Sequence, residues 1–205
     1  MRYIIFIFIL LSKYSYSQDS CDVINIQDYC CKLDNKGKKQ GLWKFYQPPN
    51  CIIQSEVMYK DDYREGKSII YFSNGKVMTE SYYKNDTLNG LSRTFRKDGS
   101  LYREIEYKMG EINGFSKYFD SLGRITSVAD YWDGKKNGSL KLYYSNGALE
   151  EEIFFVHGVK DGANRLYDSR GNLIREYIWR NNNIEIEKYY CSSILVKEIV
   201  RGKGD

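Results

Sequence analysis

Gly90 to Asn113 reads GLSRTFRKDGSLYREIEYKMGEIN, and nearly every other segment of the chain restates it. A glycine opens the unit, an aromatic follows five residues later at Phe95, a second glycine stands at Gly99, and Tyr107 closes an alternating run. Opening glycines fall at Gly41, Gly66, Gly90, Gly114, Gly138 and Gly162, and every spacing but the first is 24 residues. The second glycines, Gly75, Gly99, Gly123, Gly147 and Gly171, keep the same period. Self-similarity at a fixed period marks a repeat protein, in which each unit is completed by its neighbours.

From Gly66 onward each unit holds two strand-like runs joined by a turn: Ser73-Asn74-Gly75, Lys97-Asp98-Gly99, Ser121-Leu122-Gly123, Ser145-Asn146-Gly147 and Ser169-Arg170-Gly171. These are hairpin signals. A second set of loops links one hairpin to the next, as at residues 108–114, 133–138 and 157–162. Both connections are short, so consecutive strands are expected to be antiparallel neighbours. The predicted fold is all-β: an elongated, twisted, single-layer antiparallel meander of hairpin repeats.

Two registers compete within each hairpin. A two-residue turn sets Arg93 opposite Glu104, Lys141 opposite Glu152 and Arg165 opposite Glu176. A three-residue turn with a glycine bulge sets Tyr71, Phe95, Phe119, Tyr143 and Tyr167 beside Val77, Leu101, Ile125, Leu149 and Leu173, and also sets Arg93 opposite Arg103 and Arg165 opposite Arg175. The bulge is favoured, because Leu122-Gly123 and Arg170-Gly171 poorly suit a turn needing positive φ at both positions. Exposed ion pairs contribute only ~0 to 1 kcal/mol, whereas apolar burial adds about 25 cal/mol per Å² and fixes register. A further aromatic row, Tyr59, Tyr83, Tyr107, Tyr131, Phe155 and Trp179, is expected to stack ring on ring from one unit to the next.

The ends differ from the array. Arg2, the apolar run from Tyr3 to Leu11 and the small or polar residues ending at Ser17 read as a secretory signal peptide over residues 1–17. Its apolar run falls well short of the ~20 residues that span a bilayer. The expected location of the mature chain is extracytoplasmic, either periplasmic or secreted, with association to the envelope. Residues 18–40 form a cysteine-rich cap over the first edge strand, 41–183 hold six repeats, and 184–205 make a divergent closing hairpin with a frayed tail.

Four of the five cysteines, Cys21, Cys30, Cys31 and Cys51, lie before or within the first repeat and suggest a disulfide-stapled cap. Unless Cys30 and Cys31 pair with each other, Cys21 takes one and Cys51 the other. Zinc is the weaker reading, since there is no CxxC spacing and no nearby histidine. Cys191, at the far end, is expected to be unpaired or to form an intermolecular disulfide.

Removing the signal peptide leaves 29 basic against 27 acidic residues. Basic and acidic side chains alternate along every repeat, so the sequence carries no electrostatic footprint for nucleic acid.

The pattern of an opening glycine, an aromatic five on, NG or DG at the turn, then E-x-x-Y and a loop ending in NG or DG resembles the MORN-repeat variant of bacterial proteins. In particular it resembles the YwqK family, described as antitoxins of toxin–antitoxin systems. The likeness runs from about Gly41 to Trp179. It implies an open, twisted sheet of hairpins with a scaffold or protein-binding role, while the secretion signal and cysteine-rich cap depart from an intracellular antitoxin.

Chemistry finds little footing. The single histidine, His157, lies in an inter-repeat loop, and Glu56, Glu80, Glu104, Glu152 and Glu176 recur because the repeat does. There is no nucleophile and base pair, no metal cluster and no cofactor motif from which to build a site. Asn85-Asp86-Thr87 and Asn137-Gly138-Ser139 match glycosylation sequons, but turn chemistry accounts for them equally well. Three non-enzymatic roles follow: a protein-binding scaffold, an antitoxin or immunity protein, and an envelope carbohydrate binder. The candidate binding surface comprises Tyr71, Phe95, Phe119, Tyr143 and Tyr167 together with Tyr83, Tyr107 and Tyr131, and the partner is an unidentified protein.

Overall fold

A computed structural model describes residues 31–47 and 51–201. The N-terminal segment assigned to the signal peptide and most of the cap, with Cys21 and Cys30, lies outside the described residues. Sixteen strands make one sheet. They are β1 (Lys32–Leu33), β2 (Lys39–Gln47), β3 (Ile52–Lys60), β4 (Tyr63–Tyr71), β5 (Val77–Lys84), β6 (Thr87–Leu88), β7 (Gly90–Phe95) and β8 (Leu101–Lys108). The second half adds β9 (Glu111–Phe119), β10 (Ile125–Trp132), β11 (Lys135–Tyr143), β12 (Leu149–Val156), β13 (Val159–Tyr167), β14 (Leu173–Arg180), β15 (Asn183–Cys191) and β16 (Ile194–Val200). Each strand pairs antiparallel with its sequence neighbour, except that β6 and β7 are two halves of one strand, both pairing with β5. The sheet is open and single-layered, as the repeat predicts.

The hairpin turns have three-residue loops, as favoured from the sequence. Arg96 donates its N–H to the Ser100 carbonyl and Gly99 donates to Arg96, each at 2.9 Å. Phe95 then pairs with Leu101. One step further in, Tyr102 is an extra residue, so that Thr94 faces Arg103 and Arg93 faces Glu104. Met78, Thr126, Glu150 and Ile174 are the corresponding extra residues. The expected Arg93–Arg103 and Arg165–Arg175 juxtapositions are therefore wrong. A β-bulge beside the turn corrects the register, and the sheet keeps both the aromatic–aliphatic pairs and the charge pairs.

The second set of connections is tighter than the sequence suggested. They are two-residue turns with positive φ at both positions: Asn85-Asp86 at 48° and 62°, Met109-Gly110 at 51° and 87°, His157-Gly158 at 50° and 87°. This is the type I′ signature, whose twist matches the flanking strands. The expected loops at 108–114, 133–138 and 157–162 shrink to Met109-Gly110, Asp133-Gly134 and His157-Gly158, because β9, β11 and β13 begin at Glu111, Lys135 and Val159.

The opening glycines consequently lie inside strands. Gly114 has φ +116°, and a Cβ there would collide with the Glu106 carboxylate and come within 3.2 Å of the Glu106 Cβ.

The I′ turns are tied to one another. Gly110 N–H donates to the Leu88 carbonyl at 2.8 Å, Gly134 to Ile112 at 2.9 Å and Gly158 to Lys136 at 2.7 Å. The residue before four of the opening glycines adds a side-chain acceptor, as Asn89 Oδ1 does for the Met109 N–H at 3.2 Å and Asn137 Oδ1 for His157 at 3.0 Å, whereas Asn113 donates its amide to the Asp133 carboxylate at 2.9 Å. The recurrent NG and DG before each strand's second half thus serve the next unit's turn. At the C-terminal end, Arg201 donates its N–H to the Glu185 carbonyl, so the tail is held at its first residue; residues 202–205 lie outside the described part.

Candidate binding surface

The sheet has two faces of different chemistry. On one, a central row of small or branched residues, Val57, Ser68, Ser81, Ile105, Ser116, Ala129, Ile153 and Asn164, is buried. The register sets these residues opposite one another strand by strand, as with Val57 and Ser68, Ser68 and Ser81, Ile105 and Ser116. Among the described residues no second layer covers them. Larger side chains on either side do: Tyr59, Tyr83, Tyr107, Tyr131, Phe155 and Trp179 along one flank, Phe45, Ile70, Tyr118, Leu142 and Leu166 along the other. The result is a furrow crossing the strands, and a depression at its N-terminal end is lined by Phe45, Val57, Tyr59, Ser68, Ile70 and Tyr83.

The aromatic row does not stack ring on ring. Tyr83 pairs with Leu88, Tyr107 with Ile112, Tyr131 with Lys136 and Phe155 with Lys160. Equivalent rings lie two strands apart, about 10 Å, beyond the 4.5–7 Å of ring contact. The intervening strand fills each gap with a cation or an aliphatic chain: Arg64 sits 4.1 Å from the Tyr83 ring centre, Lys136 5.1 Å from Phe155 and Lys160 4.6 Å from Trp179. Burial pushes the Tyr131 hydroxyl above its ordinary pKa. The indole Nε1 atoms of Trp43 and Trp179 are buried without an acceptor.

The opposite face carries a row of ion pairs. Lys44 meets Glu56 at 2.9 Å, Arg93 meets Glu104 at 2.7 Å, and Lys141 meets Glu152 at 3.4 Å. Glu176, itself buried, is shared by Arg165 at 2.9 Å and Lys188 at 3.4 Å. Tyr71, Phe95, Phe119, Tyr143 and Tyr167 flank this row beside their aliphatic partners. Burial and then the Glu56 carboxylate raise the pKa of the Tyr71 hydroxyl. The eight aromatics proposed as one surface therefore divide: Tyr83, Tyr107 and Tyr131 border the furrow, and the other five lie on the reverse face. The two rows are an even 12 residues apart in sequence, and the extra bulge residue beside each turn (Met78, Tyr102, Thr126, Glu150, Ile174) shifts the alternation and sends them to opposite faces.

The repeated glutamates are absorbed by the ion-pair row, and His157 is exposed in its I′ turn. Among the described residues no group of three or more His, Cys, Asp or Glu could hold a metal ion. None of the described helices or strands is a helix long and apolar enough to cross a membrane. Cys31 and Cys191 are free and exposed. Cys31 stands beside β1, its backbone N–H donating to the Leu42 carbonyl at 3.1 Å.

No curated protein matches the chain. One structural likeness is a crystal structure of a protein of unknown function from Bacteroides fragilis, 9% identical over 82% of this chain and 95% of that one. Its TM-score of 0.12 carries no argument. Residues 64–85 and 136–157 match the model of the MORN repeat variant. Their starts are three 24-residue periods apart, so at these two places the chain carries that repeat.

Proposed function

We propose that the protein is a non-enzymatic repeat scaffold that binds another protein, acting outside the cytoplasm after loss of residues 1–17. The observation that carries this reading is the open single-layer sheet, neither face of which is covered by another layer among the described residues. MORN-type repeats are interaction scaffolds, and two stretches match one.

From β2 to β14 the furrow crosses eleven strand spacings, about 53 Å at ~4.8 Å each. A strip roughly 15 Å wide offers about 800 Å², the area one partner contributes to a standard interface. The carbohydrate reading is less well supported, because cations from intervening strands lie over the Tyr83, Phe155 and Trp179 rings, on which a sugar would stack.

The test is affinity capture with biotinylated mature protein from the native envelope. A stoichiometric protein retained through washing supports the scaffold; an empty eluate overturns it.

A further inference from the structure

We infer that the furrow face docks an extended acidic segment of the partner protein, with a carboxylate at about every third residue. This rests on the scaffold reading and adds the face and the chemistry.

Charge is divided between the two faces. On the reverse face Lys44, Lys67, Arg93, Lys141, Arg165 and Lys188 each have a carboxylate within 3.4 Å, and Lys117, over the Phe115 ring at 4.4 Å, is the exception. On the furrow face Arg64 has Asp86 at 3.0 Å, whereas Lys39, Arg103, Lys136, Lys160 and Arg175 have none within 4.0 Å among the described residues. They lie instead over rings or on hydroxyls: Lys39 is 4.9 Å from the Tyr59 ring centre, Arg103 donates to Thr94 Oγ1 at 3.2 Å and Arg175 to the Tyr177 hydroxyl at 2.9 Å. Glu151 and Glu187 are strand carboxylates of that face. Glu151 accepts from Asn164 at 3.0 Å, and Glu187 is held by Arg201 at 2.8 Å and by the Tyr189 hydroxyl at 2.5 Å. The furrow is thus a cationic strip with aromatic walls, on a chain whose overall charge is nearly balanced.

Complementarity calls for an anion, and the geometry narrows its kind. Lys136 and Lys160 sit two strands apart, about 9.6 Å. Three residues of extended polypeptide span roughly 10 Å, so acidic side chains at i and i+3 meet both cations. Base stacking would need bare ring faces, and cations lie over the rings of Tyr59, Tyr83, Phe155 and Trp179.

The test is fluorescence anisotropy with two labelled 15-residue peptides of otherwise identical sequence, one with glutamate and one with lysine at every third position. A 15-nucleotide single-stranded DNA and phosphatidylglycerol vesicles serve as competitors. The glutamate peptide is expected to bind, to weaken about tenfold or more in Arg103→Gln/Lys136→Gln/Lys160→Gln, and to weaken again as salt rises. Lys117→Gln, on the reverse face, leaves binding unchanged. Single Lys136→Gln and Lys160→Gln variants, each expected to weaken binding about threefold, serve if the triple variant loses its far-UV circular dichroism.

The inference is overturned if the glutamate peptide does not bind, if the furrow variants bind it like wild type, if the lysine peptide binds equally, or if DNA or vesicles displace it at lower concentration. A captured envelope partner together with any of these results leaves the scaffold standing and removes only the acidic docking.

Discussion

Arg93 Nε lies 2.7 Å from Glu104 Oε1 across β7 and β8, opposite one another because Tyr102 is an extra residue beside the turn. The Arg93 side chain is 42% exposed, so solvent screens the pair. Arg93→Ala is expected to cost less than about 1 kcal/mol in urea denaturation. Glu176, only 10% exposed at its side chain and shared by Arg165 and Lys188, is the contrasting case. Glu176→Ala is expected to cost about 1–3 kcal/mol, because two clustered cations lose their anion. Equal costs at the two sites would contradict the assigned burial.

The opening glycines are expected to tolerate a side chain less well than the turn glycines. At Gly147, φ is +86° with open space around a Cβ, whereas at Gly114 the Cβ meets Glu106. Gly147→Ala should cost about 1–2 kcal/mol from backbone strain alone, and Gly114→Ala clearly more. The ordering of the two denaturation midpoints is the check.

Met109 occupies the first position of an I′ turn with φ 51°, and its side chain is 78% exposed. Asparagine suits that conformation and loses no packing. Met109→Asn should raise the melting temperature by a few degrees; a fall would argue against the I′ assignment.

Low pH is expected to loosen the hairpin turns. Asp98 is held below the usual carboxylate range first by the Ser100 backbone N–H, Asp120 by the Arg124 backbone N–H, and Asp168 by the Asn172 side chain. Their folded pKa values lie below the unfolded value near ~3.9. The stabilisation is therefore complete above that value and is lost as pH falls through the folded values. Urea midpoints should be flat from about pH 7 to 5 and drop below pH 4, with the drop reduced in Asp98→Asn/Asp120→Asn/Asp168→Asn.

Much of the fold was legible in the chain. The 24-residue spacing of Gly66, Gly90, Gly114, Gly138 and Gly162, the turn residues around Gly75 and Gly99, and the alternating runs between them determine an antiparallel meander, since short connections leave no other pairing. The three-residue turn was legible too, because Leu122-Gly123 cannot readily supply two positive φ angles. The same reasoning read the NG and DG pairs as parts of loops, and it missed that Asn89 and Asn137 cap the following unit's turn.

Tertiary structure decided which side chains share a face. The bulge at Tyr102 is a relation between two strands and leaves no mark of its own in either, yet it alone lets Arg93 meet Glu104 while Phe95 keeps Leu101. Basic and acidic residues that alternate in sequence look balanced; in a pleated strand alternation sends them to opposite faces, as Arg103 and Glu104 show. The sequence by itself determined the period and the meander. Only the folded sheet separated an ion-pair row from an aromatic furrow whose cations lie over rings and hydroxyls, because register and pleat act between strands rather than along them.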